Sequence, residues 1–342
     1  MAFPLLRQNR RNPADPIEDF FCNRRHLKVP LSCVALMETF IQQLINGLTL
    51  GSIYALVALG YTMVYGILGL INFAHGEVVM IGALTALAVV KPLVGVLPGP
   101  LVALIGLVVA ALVCMALGFI IERVAYRPLR AAPRLAPLIT AIGVSIVLQQ
   151  LAMIIWGRNY HPVPDLLPSA SHEIFGAQIN DLQILIMVTA ALTMSGLLLL
   201  VNKTRLGRAM RATSENQGIA ALMGVDANRI ISLTFVIGSA LAALAGFLVS
   251  ANYGVAHYSM GSLLGMKAFT AAVLGGIGNL GGAMLGGVLL GVIEALGAGY
   301  IGDLTGGVFG SNYQDVFAFF VLITVLVFRP SGLMGERVSE RA

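Results

Sequence analysis

The chain has 342 residues, 58% of them hydrophobic and only 11% charged, with a formal net charge of +5 and a mean hydropathy of +0.88. Soluble globular chains carry about 25% charged residues, so a protein with a mostly water-facing surface is excluded. The basic residues sit in short loops beside apolar runs, as in multi-pass membrane proteins and not as in a nucleic-acid-binding face.

Residues 1–36 are polar, basic and proline-bearing ("RQNRR", "NPADPIED", "NRRHLK"). Asp15, Glu18 and Asp19 interrupt the basic region, and "VPLSCVALM" is short, so this is no signal peptide. Met37 opens "METFIQQLINGLTLG" just before the first apolar run. Residues 1–36 are therefore either a polar tail or a product of start-codon choice. A transmembrane domain is expected over 37–334, with a tail at 335–342.

Apolar runs long enough to cross a bilayer follow one another, continuous rather than alternating, which argues for helices and against a β-barrel. Residues 40–91 form one block interrupted at "INFAHGE", making either two crossings or three. Pro98–Ile121 is next. The loop carrying Arg123, Arg127, Arg130 and Arg134 argues for the cytoplasm, and Leu135–Trp156 returns. Gly157–Asp181, with one Arg and three acids, reads as external, and Trp156 and Tyr160 mark a membrane interface. Leu182–Val201, an internal loop at 202–229, Ile230–Ala251, two closely packed helices in Met266–Tyr300, and Asn312–Phe328 complete the chain. Arg329 and Arg337 place the C-terminus inside. The expected fold is an all-α polytopic bundle of about eight or nine transmembrane helices, with a broken or re-entrant helix near 70–77.

Catalytic and cofactor signatures are absent. Cys22, Cys33 and Cys114 match no metal spacing. No phosphate-binding G-x-x-x-x-G-K-[ST] motif occurs, so ATP hydrolysis would need another subunit. "GIGNLG" (276–281) satisfies a dinucleotide pattern but stands between membrane segments with no βαβ unit. Gly278/Gly282, Gly282/Gly286, Gly287/Gly291 and Gly47/Gly51 read instead as small-xxx-small pairs, suited to helices that rock or to a static bundle.

The internal loop reads "KTRLGRAMRATSENQGIAALMGVDANR". Asn216 or Ser214 is placed to cap a short helix that Gly224 would end, and Asp226 or Asn228 to cap the next span. Ile219, Ala220, Leu222 and Met223 then lie on a surface helix that meets a partner protein or folds back on its own bundle.

Several long segments, in order, carry a resemblance to one family: "LTLGSIYALVALGYTMVYGILGLINFAHGEVVMIGA", "IERVAYRPLR", "LITAIGVSIVLQ", "LGRAMRATSENQGIAALMGV" and "MKAFTAAVLGGIGNLGGAMLGG". From Met37 to about Met334 the chain resembles LivH-type permeases, the membrane subunits of ABC importers for branched-chain amino acids. The resemblance implies a second, LivM-like permease, two cytoplasmic ABC ATPase subunits, a periplasmic substrate-binding protein and residence in the bacterial inner membrane. It implies no cofactor. It also makes 202–229 the element that couples to the ATPase, through Ala220, Ala221 and Gly224, with Ile219 where related importers carry Glu. Arg208 and Arg211 would touch acidic ATPase surface or lipid headgroups.

Ionisable groups at membrane depth are costly and usually face a bundle interior or a watery path. Asn72, His75 and Glu77 therefore either fix the helix break, with Glu77 capping a half-helix or pairing with His75, or line the translocation path. Glu294 is expected to face inward, and Lys267 either snorkels or pairs with it. His257 falls in an external loop. A proton-coupled secondary transporter or channel is the competing function, and urea or amides are alternative cargo within the family.

Overall fold

The computed structural model describes residues 31–304 and 313–335, apart from 131, 134, 167–169, 175 and 330. Cys22 and the rest of residues 1–30, Arg134, and the tail from 336 with Arg337 lie outside the described residues. The elements are α1 (Leu31–Leu68), α2 (His75–Leu93), α3 (Gly99–Ile121), α4 (Leu135–Trp156), β1 (His161–Pro162), β2 (Ser171–Ile174), β3 (Ala177–Asn180), α5 (Asp181–Lys203), α6 (Arg205–Glu215), α7 (Gln217–Leu222), α8 (Ala227–Tyr253), β4 (Val255–Ala256), α9 (Met260–Gly275), α10 (Leu280–Leu304) and α11 (Gln314–Phe328). Among the described residues seven helices (α1–α5, α8 and α10) are long and apolar enough to cross a membrane, and α9 and α11 are shorter apolar helices.

The block at 40–91 is two helices, not three. Gly69, at φ +64°, ends α1 as a left-handed cap that a side chain would strain, and its N–H donates to Tyr65 O at 2.7 Å. An irregular segment then leads into α2. The first helix begins at Leu31, six residues ahead of Met37, and so runs back into the region read as a tail.

α1 is the central helix, with Ile53 to Leu59 all buried. It packs on α10 through facing small residues. A Cβ at Gly47 would lie 2.7 Å from Val292 Cα, and one at Gly51 would lie 2.8 Å from Val288 Cα. Such spacing brings backbones together without side chains between them. Gly282 and Gly286 do the same for α10 against Gly275 at the end of α9. Gly278 is not a glycine of a helix: it sits at φ +97° in the α9–α10 turn, where its own Cβ would meet nothing within 4 Å, and its Cα instead lies 3.8 Å from where a Cβ on Gly66 of α1 would stand. The pattern of glycines four apart misassigned it because a turn glycine and a packing glycine look alike in sequence.

α8 lies against α2 and α3. A Cβ at Gly82 would come within 2.7 Å of Ala243 Cα, and Gly118 faces Ser239. The outer faces of α3, α4 and α5 expose Leu104, Leu112, Ile139, Ile146, Val188 and Leu192, an apolar belt suited to lipid. One end of the bundle carries the arginine-rich turn after α3 and the α6–α7 segment. The other carries two short antiparallel ladders, β1–β4 and β2–β3. These strands were not evident in the sequence, being two to four residues long. Gln42 ties α1 to that end, exchanging hydrogen bonds with the Gln178 backbone at 3.0 and 2.8 Å.

Gly51→Val is expected to lower stability by at least about 1–3 kcal/mol, because the added methyls meet backbone that cannot rotate away. Gly143→Ala, where nothing stands within 4 Å, should be neutral or stabilising. Thermal unfolding of the detergent-purified chain checks both; equal behaviour would contradict this account of the α1–α10 contact.

Candidate functional site

Polar chemistry concentrates in three places. The first is the break before α2. His75 opens α2 deep in the bundle: its imidazole occupies the space a side chain on Gly60 would need. Gly60 lies eight residues before the end of α1, about 12 Å at the helical rise. The chain therefore leaves α1 and turns back into the bundle before α2 starts. A half-helix beginning at depth presents unpaired N–H groups, which need partners. His75 N–H donates to Asn72 O at 3.0 Å and Glu77 N–H to Ala74 O at 3.1 Å. The Tyr61 hydroxyl oxygen accepts from Gly76 N–H, and its ring meets His75 edge-on at 4.8 Å.

Asn72 does not cap α2; its side-chain oxygen accepts from Tyr126 Oη at 3.0 Å, pinning the break to the π-helical turn Glu122–Tyr126. Glu77 neither caps α2 nor pairs with His75. Its Oε1 accepts from Ser145 of α4 at 3.3 Å, while Oε2 is buried without a hydrogen-bond partner and the His75 imidazole faces the Val57 carbonyl. Unpartnered buried polar atoms of this kind point to a function or an internal water. Glu77→Gln is expected to reduce transport several-fold with an unchanged amount of inserted chain. Uptake and immunoblot of the same membranes check this, and unchanged uptake would leave Glu77 a purely structural residue.

The second place is a buried ion cluster. Lys267 does not snorkel. Its Nζ lies 2.6 Å from Glu294 Oε1 and 2.6 Å from Asp315 Oδ1, and the Tyr54 hydroxyl donates to Glu294 Oε1 at 3.2 Å. Four helices, α1, α9, α10 and α11, meet here. Glu294 is 1% exposed and Lys267 6%, so the groups compensate one another in a low-dielectric setting. A cavity of about 560 Å³ lies over the cluster, with Tyr54, Lys267 and Asp315 in its wall, Tyr253 and Leu264 beside them, and Tyr160 and His257 also lining it. The Tyr160 ring stacks on His257 at 4.2 Å. His257 is held by Ser259 Oγ at 2.7 Å and Arg158 O at 3.0 Å, so it is a braced residue and not a loose loop side chain. Asp315 and Tyr54 were missed from sequence: Tyr54 resembles any core aromatic, and Asp315 stands at the start of a helix.

The third place is the α6–α7 end. Thr204 caps α6, accepting from Gly207 N–H at 3.1 Å, and the Arg211 guanidinium donates to Val201 O at the end of α5. Asn216 caps α7, accepting from Ile219 N–H at 3.0 Å. Gly224, at φ +85°, ends that segment, and Asp226 caps α8. α6 was not distinguished within the loop from sequence. Leu222 and Met223 are 88% and 80% exposed, and Ile219 is exposed too, whereas Ala220 is buried. Ala220 thus faces its own bundle, while Arg208 and Ala221 face outward. Close by, buried Glu122 binds Arg130 and accepts from Ser232 Oγ at 2.6 Å, and Arg130 donates to Asn228 Oδ1 at 2.7 Å. This network joins the end of α3 to the start of α8.

Among the described residues no group of three His, Cys, Asp or Glu side chains is placed to hold a metal ion. A multi-helix membrane bundle with polar groups gathered at a helix break and under a cavity is the architecture that a membrane transport protein requires. Residues 43–326 match the family model described as branched-chain amino acid transport system / permease component, and the chain belongs to that family. It is similar to the high-affinity branched-chain amino acid transport system permease protein BraD of Pseudomonas aeruginosa, 51% identical over 308 residues, covering 88% of this chain and 98% of the relative. LivH of Escherichia coli, a permease protein of the same description, is 45% identical over 308 residues, covering 88% and 97%. The autoinducer 2 import system permease protein LsrC of Klebsiella pneumoniae is 34% identical over 197 residues, covering 56% and 54%. No solved structure matches the chain. The protein is accordingly a multi-pass membrane permease component of a transport system.

Proposed function

We propose that this chain is a permease subunit of an ATP-driven importer that carries leucine, isoleucine and valine across the bacterial inner membrane. Its companions are a second, LivM-like permease, two cytoplasmic ABC ATPase subunits and a periplasmic substrate-binding protein. The observation that carries the reading is 51% identity to a high-affinity branched-chain amino acid permease over 98% of that relative's length. The arginine-rich end, with α6, α7 and the C-terminus, faces the cytoplasm, as the positive-inside pattern favours.

The geometry supplies a mechanical route. An ATPase gripping Ile219, Leu222 and Met223 would move α7 as a unit, because Asn216 and Gly224 fix both its ends. Arg211 and Thr204 tie α6 to α5, and the Glu122–Arg130 network ties α8 to α3. α8 packs closely on α2 through Gly82 and Gly246. Displacement at the cytoplasmic face therefore reaches the break at 69–74 through rigid contacts.

Labelled-leucine uptake by cells lacking this chain tests the cargo. Uptake should fall and return on complementation, and valine and isoleucine should compete with it. Competition by urea or short amides alone would overturn the assignment.

A further inference from the structure

We propose that the cavity over Lys267 is a subsite for the ammonium end of a short aliphatic amino acid, with Asp315 as its counter-ion; this rests on the import reading above. Two carboxylates, Glu294 and Asp315, flank the single ammonium of Lys267, each at 2.6 Å. The trio carries a formal surplus of one negative charge. Of the two acids, Glu294 is closed off at 1% exposure, while the Asp315 side chain is 32% exposed and lines the cavity. The surplus is therefore presented to whatever enters. Val249, Met260, Leu263 and Leu264 form apolar wall, which suits a branched hydrocarbon chain and not an extended polar one.

Glu294 also supplies the compensating move. Its Oε2 is buried with no hydrogen-bond partner, although Oε1 already holds Lys267. When a ligand ammonium takes Asp315, Lys267 shifts fully onto Glu294, where Oε2 offers an unused acceptor. No charge is then left buried alone. The ligand's carboxylate stays toward the open mouth, in water. A site that exchanges one ion pair for another binds weakly, which suits a permease that must release its cargo.

The test uses the complete transport complex in lipid nanodiscs, without its binding protein, and saturation-transfer NMR with three probes. These are leucine, 3-methylbutylamine and 4-methylpentanoate. The amine and leucine should give signals about 10-fold above the acid, the effect of one charge-assisted contact. Asp315→Asn should reduce both to the level of the acid. Leu263→Trp fills the cavity, leaves all three charged groups in place, and should abolish the amine signal at normal complex yield; it decides the matter if Asp315→Asn fails to assemble. Equal signals from acid and amine, or an amine signal untouched by the assembled variants, would overturn the inference. ATP-driven leucine uptake by the wild-type complex in proteoliposomes with binding protein separates the two readings. Uptake without amine preference overturns this subsite alone; no uptake overturns the import reading.

Discussion

Lys267→Met is expected to destabilise the folded chain by about 3–5 kcal/mol, the usual penalty for removing one partner of a buried ion pair. Methionine fills most of the lysine stem's volume, so the loss is electrostatic. Glu294 would be left with only the Tyr54 hydroxyl, at a place where solvent does not reach. Asp315 suffers less, because it opens on the cavity. The double variant Lys267→Met/Glu294→Gln should recover most of the stability, since a neutral amide carries no desolvated charge. Thermal unfolding of the purified chain and both variants measures this. A single variant as stable as wild type would show that the cluster does not hold α1, α9, α10 and α11 together.

Leu222→Glu should reduce ATP-driven uptake by ~10-fold or more while insertion and thermal stability stay unchanged, since a central apolar anchor of an interface contributes 2 kcal/mol or more. The side chain is 88% exposed, so the substitution disturbs little within the chain itself. It places a charge where the ATPase reading requires an apolar contact. Gly224 gives a less direct test, because any side chain there also strains a left-handed backbone. Co-purification of the ATPase with the variant is the measurement. Full recovery of the ATPase at normal uptake would remove α7 from the coupling role.

The helical bundle was legible because lipid demands long continuous apolar runs, and these stand out against loops rich in arginine. The break at "INFAHGE" was equally legible, since Asn, His and Glu seldom occur together at membrane depth without reason. Its wiring was not. Asn72 meets Tyr126, and Glu77 meets Ser145, partners 54 and 68 residues away that only the packing brings close. The Lys267–Glu294 pair stood among the sequence alternatives because each residue is rare in its setting. Asp315 escaped notice because an acid at a helix start already has an ordinary explanation in the helix dipole. Which side chains of α7 face the bundle was not legible: Ala220 is buried between exposed Ile219 and Ala221, since one step around a helix turns a side chain by about 100°.

Proteoliposome transport tests the central claim most directly: that this chain moves only when a separate ATPase works on it. Vesicles would hold this chain with or without the proposed companion permease, ATPase and binding protein. They would be challenged with labelled leucine under an imposed proton gradient or with ATP on the ATPase side. The account predicts uptake only in the complete set, only with ATP, and unaffected by collapsing the gradient. Leucine accumulation by this chain alone, driven by protons, would contradict it.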